Sequence, residues 1–158
     1  MTAPNPVPDW AALVAAYNRI NTYGQANGMT LNVPAPGQAE YRMTILADHL
    51  SSPGTAHGGV VAGLMDAALG AAALTLAFTT GEFVSTVEFK MNYLHPARLH
   101  DALLARAKVE HTGNKLLVSS AVIFRLNANG TETAVAQGLG TFNRYPADKR
   151  EFGKLLLE

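Results

Sequence analysis

Two hydrophobic periods divide this chain, and one stretch has neither. Trp10, Leu13, Val14, Tyr17 and Ile20 recur at helical spacing, and Asp9 before them is a capping residue, so a helix is expected over 10–23. Gly24 and Asn27-Gly28 break the pattern. Residues 29–33 then predict a strand and 34–37 a turn. A second strand is expected over 39–46, with Tyr41, Met43 and Ile45 on one face. The SerSerProGly run makes 51–55 a loop.

Residues 58–78 have no polar face; their single charge is Asp66. That length suits a membrane span. An acid at its centre would cost roughly 2.5–3.5 kcal/mol on insertion, and no Lys or Arg occurs between Arg42 and Lys90 to flank it. The stretch is also rich in Ala and Gly. It therefore predicts a helix enclosed by protein on nearly all sides, not a helix in a membrane.

After this helix the period becomes two. Over 83–94, Val87, Phe89, Met91 and Tyr93 alternate with Thr86, Glu88, Lys90 and Asn92, which predicts a strand with one wet face. His95-Pro96 ends it. Residues 101–111 place Leu103, Ala105, Ala107 and Val109 on one face, and Thr112-Gly113-Asn114 turns the chain. Over 115–126 the expected core face is Leu116, Val118, Val122 and Phe124. Asn129-Gly130 marks a hairpin. The last strand, 133–143, carries Ala134, Ala136, Gly138 and Gly140 on one face, small enough for a helix to approach closely. Four sequential strands with short turns read as an antiparallel meander wrapped round the apolar helix, an α+β layer arrangement.

Composition adds limits. At 158 residues the chain is the size of one domain with a real core. It divides into a helix and lead-in over 1–28, a core over 29–143 and a tail over 144–158, in which Phe152 and Leu155 to Leu157 are apolar. Net charge is +0, without the basic stripe of a nucleic-acid binder. There are no cysteines, which excludes disulfides and thiolate chemistry. His95, His100 and His111 lack metal-ligand spacing, so no metal is expected. Residues 1–10 show no basic region followed by an apolar run, so no leader is read there, and a cytoplasmic location is expected.

Chemistry concentrates in Ala56-His57-Gly58-Gly59, which opens the apolar helix, and in Asp66. Two glycines at a helix start leave bare N–H groups at the positive end of the dipole, able to hold a developing oxyanion. Glycine also serves any tight turn, and both readings stand. Asp66 is a lone carboxylate among apolar residues. It is either a base awaiting a ligand or an acid held by neighbouring hydrogen bonds. Eight residues of helix separate it from Gly58, roughly 12 Å. One chain therefore cannot bring both to one reacting carbonyl, whereas two antiparallel copies about a twofold axis can.

The HisGlyGly run, the Asp eight positions after Gly58, and the strand ValGluPheLysMetAsnTyrLeuHisProAla together resemble the hotdog-fold thioesterases of the PaaI-like, phenylacetate-pathway group. The likeness spans residues 29–143. It implies a long helix wrapped by a curved antiparallel sheet, a homodimer with a continuous sheet or a dimer of dimers, and hydrolysis of an acyl-CoA thioester. Coenzyme A would enter as part of the substrate and no other cofactor is implied. By position, Gly58 would supply the N–H that polarises the thioester carbonyl. Asp66 would be nucleophile or base, Thr86 would orient the carboxylate or water, and His57 would line the mouth or fix the loop. Ser51 stands where relatives carry Asn or Gln to position water, a shorter group in that role. Gly59, Met65 and Phe89 are candidates to line the acyl site, and Arg98 is a candidate for the coenzyme A phosphates. Two other readings remain: a hotdog hydratase or dehydratase pairing His57 with Asp66, and an acyl-CoA-binding protein without catalysis.

Overall fold

The apolar stretch is a single helix, α3 (Gly58–Phe78), in a computed structural model that describes residues 9–51 and 54–147. The apolar tail residues and the extreme N-terminus lie outside the described residues. Before α3 come α1 (Trp10–Ile20), α2 (Thr22–Ala26), β1 (Thr30–Asn32), β2 (Gln38–Thr44), a short 3-10 turn (Ala47–His49) and a small hairpin, β3 (Leu50–Ser51) with β4 (Thr55–Ala56). After it come β5 (Glu82–Tyr93), β6 (Ala102–Thr112), β7 (Leu116–Leu126) and β8 (Glu132–Pro146).

Asp9 caps α1, accepting from the Ala12 N–H at 3.1 Å. The expected helix over 10–23 is in fact two. Asn21 interrupts it, and its side chain caps α2 by accepting from the Gly24 N–H at 2.9 Å. An Asn that offers the backbone an alternative partner stops a helix that spacing alone would continue.

The main sheet has six strands in the order β1-β2-β6-β7-β8-β5, all antiparallel. The meander therefore covers only β6, β7 and β8. β5 does not pair with β6; it crosses to the far side and pairs with β8 along its whole length. The helix lies across the concave face. Leu64, Met65, Ala68, Leu69 and Ala72 are fully enclosed. Each large side chain so buried contributes about 1.5–3 kcal/mol. The small residues of β8 permit the approach: a Cβ on Gly138 would sit 2.9 Å from Met65 Sδ and 3.0 Å from the Lys90 carbonyl.

Two strand faces differ from expectation. On β7 the core face is Leu117, Ser119, Ala121 and Ile123, not Leu116, Val118, Val122 and Phe124. Both faces of this strand are largely apolar, and Ser119 hid the inner one. Phe124 lies instead under the Arg106 guanidinium on the outer face, 5.2 Å from carbon to ring centre. On β8 the register shifts opposite Ile123 and Phe124, so Ala134 leaves the face that Ala136, Gly138 and Gly140 share.

α3 is the one helix, among the described residues, long and apolar enough to cross a membrane. Here just over half of it is buried inside the fold. The long helix on a six-stranded antiparallel sheet is the α+β hotdog arrangement.

Candidate active site

A bulge in β5 builds the acid's surroundings. Thr86 pairs with Phe142 of β8 while Glu88 pairs with Thr141, leaving Val87 as the extra residue, 58% exposed. Strict alternation would put Thr86 on the opposite face from Phe89, Met91 and Tyr93. The extra residue reverses that, and Thr86 joins them on the face toward α3. Its hydroxyl donates to Asp66 Oδ1 at 2.9 Å. The bulge is invisible to periodicity because Val87 is apolar, as an inward residue would be.

Asp66 is half-buried rather than sealed. The expectation of a helix enclosed on nearly all sides therefore needs correction. Gly59, Ala62, Gly63, Asp66 and Gly70 form a partly open stripe along α3, while the opposite face is shut. Oδ1 is occupied by Thr86, and Oδ2 has no hydrogen-bond partner among the described residues.

The start of α3 is held differently. His57 is the N-cap, with extended backbone (φ −60°, ψ 135°), and its Nδ1 accepts from the Gly59 N–H at 2.9 Å. Its own N–H donates to the His49 carbonyl at 2.8 Å. The His57 carbonyl takes the Val60 N–H at 3.0 Å. The Gly58 N–H, alone in this first turn, has no protein acceptor among the described residues. The Tyr93 hydroxyl donates to the Gly58 carbonyl at 2.8 Å. A cleft opens beside this point, lined by Ala56, Gly58, Val61, Tyr93, Pro96 and Val135.

The remaining sequence candidates fall into three groups. Ser51 and Arg98 lie close to the helix start. Ser51 is on β3, where its hydroxyl turns back to the Thr55 carbonyl at 3.4 Å. Arg98 is exposed and bridges Thr55 of β4, while the adjoining Ala97 carbonyl accepts from the Ala56 N–H at 2.8 Å. Phe89 is half-buried against Gly140 and the helix. Met65 is fully enclosed against Gly138, two residues back along β8 on the same face. Arg106, another cation near the strands, is already committed: it forks onto Glu132 at 2.7 and 2.8 Å. Among the described residues no group of three or more His, Asp or Glu is placed to hold a metal.

Sequence reasoning counted Tyr93 on the apolar face of its strand and missed its hydroxyl. The pairing of Tyr93 with Ala136 sets that side chain on the helix face, and strand register of this kind is not readable from one strand alone.

The chemistry available is thus a free helix N-terminal N–H beside a cleft, and a carboxylate with one free oxygen about 12 Å further along the helix. Comparison with known proteins places the arrangement. Residues 53–130 match the family model described as the thioesterase superfamily. A Halobacterium salinarum protein provisionally named an esterase is 31% identical over 148 residues, covering 89% of this chain and 95% of the relative. The solved structure of a thioesterase family protein from Silicibacter pomeroyi is 27% identical with a TM-score of 0.74, over 87% of this chain and 98% of that one. A mutant of the phenylacetic acid degradation protein PaaI from Thermus thermophilus is 26% identical with a TM-score of 0.67, over 79% and 100%. With its fold, its helix start and these likenesses taken together, the chain belongs to the thioesterase superfamily.

Proposed function

We propose that the protein hydrolyses acyl-CoA thioesters, and that each site is shared by two copies of the chain. The observation that carries this reading is the carboxylate of Asp66, held by Thr86 on one oxygen and, among the described residues, without a partner on the other, on a helix whose Gly58 N–H likewise has no acceptor among them. The thioester carbonyl oxygen accepts from the Gly58 N–H of one copy. Asp66 of the other copy, with its helix antiparallel, takes a proton from water as the water oxygen bonds to the carbonyl carbon. Negative charge gathers on the carbonyl oxygen, where the helix dipole and the N–H favour it. Collapse of that intermediate breaks the carbon–sulfur bond, and the coenzyme A thiolate leaves and is protonated. In a second route Asp66 attacks the carbonyl itself and water cleaves the resulting anhydride; both routes end in free acid and coenzyme A. No metal or redox cofactor is called for. In this reading Arg98, exposed near the helix start, meets the coenzyme A phosphates and Phe89 lines the acyl group.

The half-buried position of Asp66 supports the shared site, because its second oxygen stays within reach of a group from another copy. A homodimer, alone or paired into a tetramer, follows from this reading. The test is thiol release across a panel of acyl-CoA thioesters, with parent and Asp66→Asn compared. The expected result is turnover by the parent and a loss of more than about 100-fold in kcat for the variant, the scale of a missing base. Equal turnover by both would end the reading.

A further inference from the structure

The Gly58–Gly59 peptide is gripped at both ends by side chains from different elements. Its carbonyl oxygen accepts from the Tyr93 hydroxyl at 2.8 Å, and its N–H donates to His57 Nδ1 at 2.9 Å. The His57–Gly58 peptide before it is anchored through its carbonyl, which accepts from the Val60 N–H at 3.0 Å, and the Ala56–His57 peptide through its N–H, which donates to the His49 carbonyl at 2.8 Å. The result is a helix start in which every neighbouring group is fixed and one N–H is left open.

Such fixing has a physical purpose at this position. Consecutive glycines have the widest backbone freedom of any pair, and a helix start is where helices fray. A donor that must meet charge only in a transition state is most effective when it is already oriented. From this geometry we infer that Tyr93 is a positioning residue for the Gly58 N–H, resting on the assignment of that N–H proposed above. Tyr93 does not itself donate to the reacting carbonyl, because its proton is engaged on the Gly58 oxygen. A carbonyl has two lone pairs, so Gly58 O takes this bond in addition to its helical one. The phenol also limits the room at residue 58: a Cβ there would lie 3.3 Å from the Tyr93 oxygen, tight enough that the ring would have to shift by a few tenths of an ångström.

Two variants test the inference. Tyr93→Phe keeps the ring and removes the hydroxyl. It is expected to lower kcat about tenfold with KM changed less than about twofold, since the oriented N–H matters most in the transition state. A packing role alone would leave kcat at the parent value. Gly58→Ala keeps the N–H and adds the crowding Cβ. Its penalty on kcat is expected to shrink severalfold in the Tyr93→Phe background, because the atom it crowds is gone. Amide hydrogen exchange supplies a readout independent of turnover: Gly59 is expected to exchange faster in Tyr93→Phe than in the parent. Parent-like kcat in Tyr93→Phe, strictly additive losses in the double variant, or an unchanged Gly59 exchange rate would each overturn the inference. The broader reading fails differently, by full turnover in Asp66→Asn. Were the parent itself to release no thiol, the exchange rates alone would decide whether Tyr93 orders the helix start.

Discussion

The two ends of α3 are finished in opposite ways. At the C-terminal end the chain satisfies itself. The Thr79 hydroxyl donates to the Leu76 carbonyl at 2.7 Å, and the Thr80 hydroxyl lies within hydrogen-bond reach of both the Ala77 carbonyl, at 2.9 Å, and the Glu82 carboxylate, at 2.8 Å. Their N–H groups turn back to the same carbonyls, and Gly81, at φ +73°, closes the turn on Phe78 at 3.1 Å. Arg144 then ties Glu82, Thr80 and the Gly113 carbonyl together. At the N-terminal end the same economy stops one group short, and the Gly58 N–H stays open beside a cleft. The first N–H of a helix is ordinarily left to water, and here it faces a cleft where a ligand can replace that water. The difference separates residues that hold the fold from residues held ready for a ligand, and substitutions at the two ends should divide in the same way.

Gly58→Pro probes the open end most directly. Residue 58 is the first helical position, where proline's missing N–H breaks no helical bond, and His57 already has the extended backbone that a residue before proline requires. The variant is expected to fold, with kcat reduced about 100- to 1,000-fold, the scale seen when one oxyanion donor is removed. Steady-state kinetics beside a circular dichroism melt would check it. It also permits a test of sharing. Gly58→Pro and Asp66→Asn chains, each inactive, should recover about a quarter of parent activity when refolded together, because half of the dimers are mixed and each mixed dimer has one intact site. A site confined to one chain would recover nothing.

Thr86→Ala should do less. It leaves the carboxylate in place and removes only its orienting bond, about 1.4 kcal/mol or tenfold in kcat for a hydrogen bond to a charged group. Thr86→Ser should restore most of the rate. If Thr86→Ala matched the parent, the hydroxyl would be structural ornament and the acid's orientation would come from the partner copy.

How far the sequence foretold these ends depends on what each residue touches. The buried helix, its glycine start and its one acid were all legible, because a run of 21 residues with a single charge has few folded solutions. β2 was legible too, its alternation matching the buried set Ala39, Tyr41, Met43 and Ile45. Local rules failed where a second element decides. Asn21 split the first helix through its own side chain. β5 paired with β8 instead of β6, which no turn signal specifies. The bulge at Val87 moved Thr86 to the helix face, and the register with Ala136 brought Tyr93 to Gly58. The candidate site was therefore readable as a list of residues on α3, with Thr86 added as orienting partner by the family resemblance alone; strand pairing shows how Thr86 and Tyr93 reach the helix.

The smallest expected effect lies at the closed end. The Thr80 hydroxyl, 2.8 Å away, and the Arg144 guanidinium hold the Glu82 carboxyl below the usual glutamate range. A carboxyl whose pKa is lowered by folding adds stability that is complete above that usual range and is lost as pH falls through the lowered value. Glu82→Gln should therefore lower the melting temperature at pH 7 by a few degrees, in keeping with about 1 kcal/mol for a partly exposed ion pair in a chain of this size. Melts repeated at successively lower pH should bring parent and variant together as the pH falls through the lowered Glu82 value. Turnover at a temperature well below either melt should stay at the parent value, since this end of α3 lies about 20 residues, or roughly 30 Å of helix, from Gly58. A loss of kcat in Glu82→Gln with the melting temperature unchanged would show that the two ends of the helix are not independent, and that the closed end also sets the geometry of the open one.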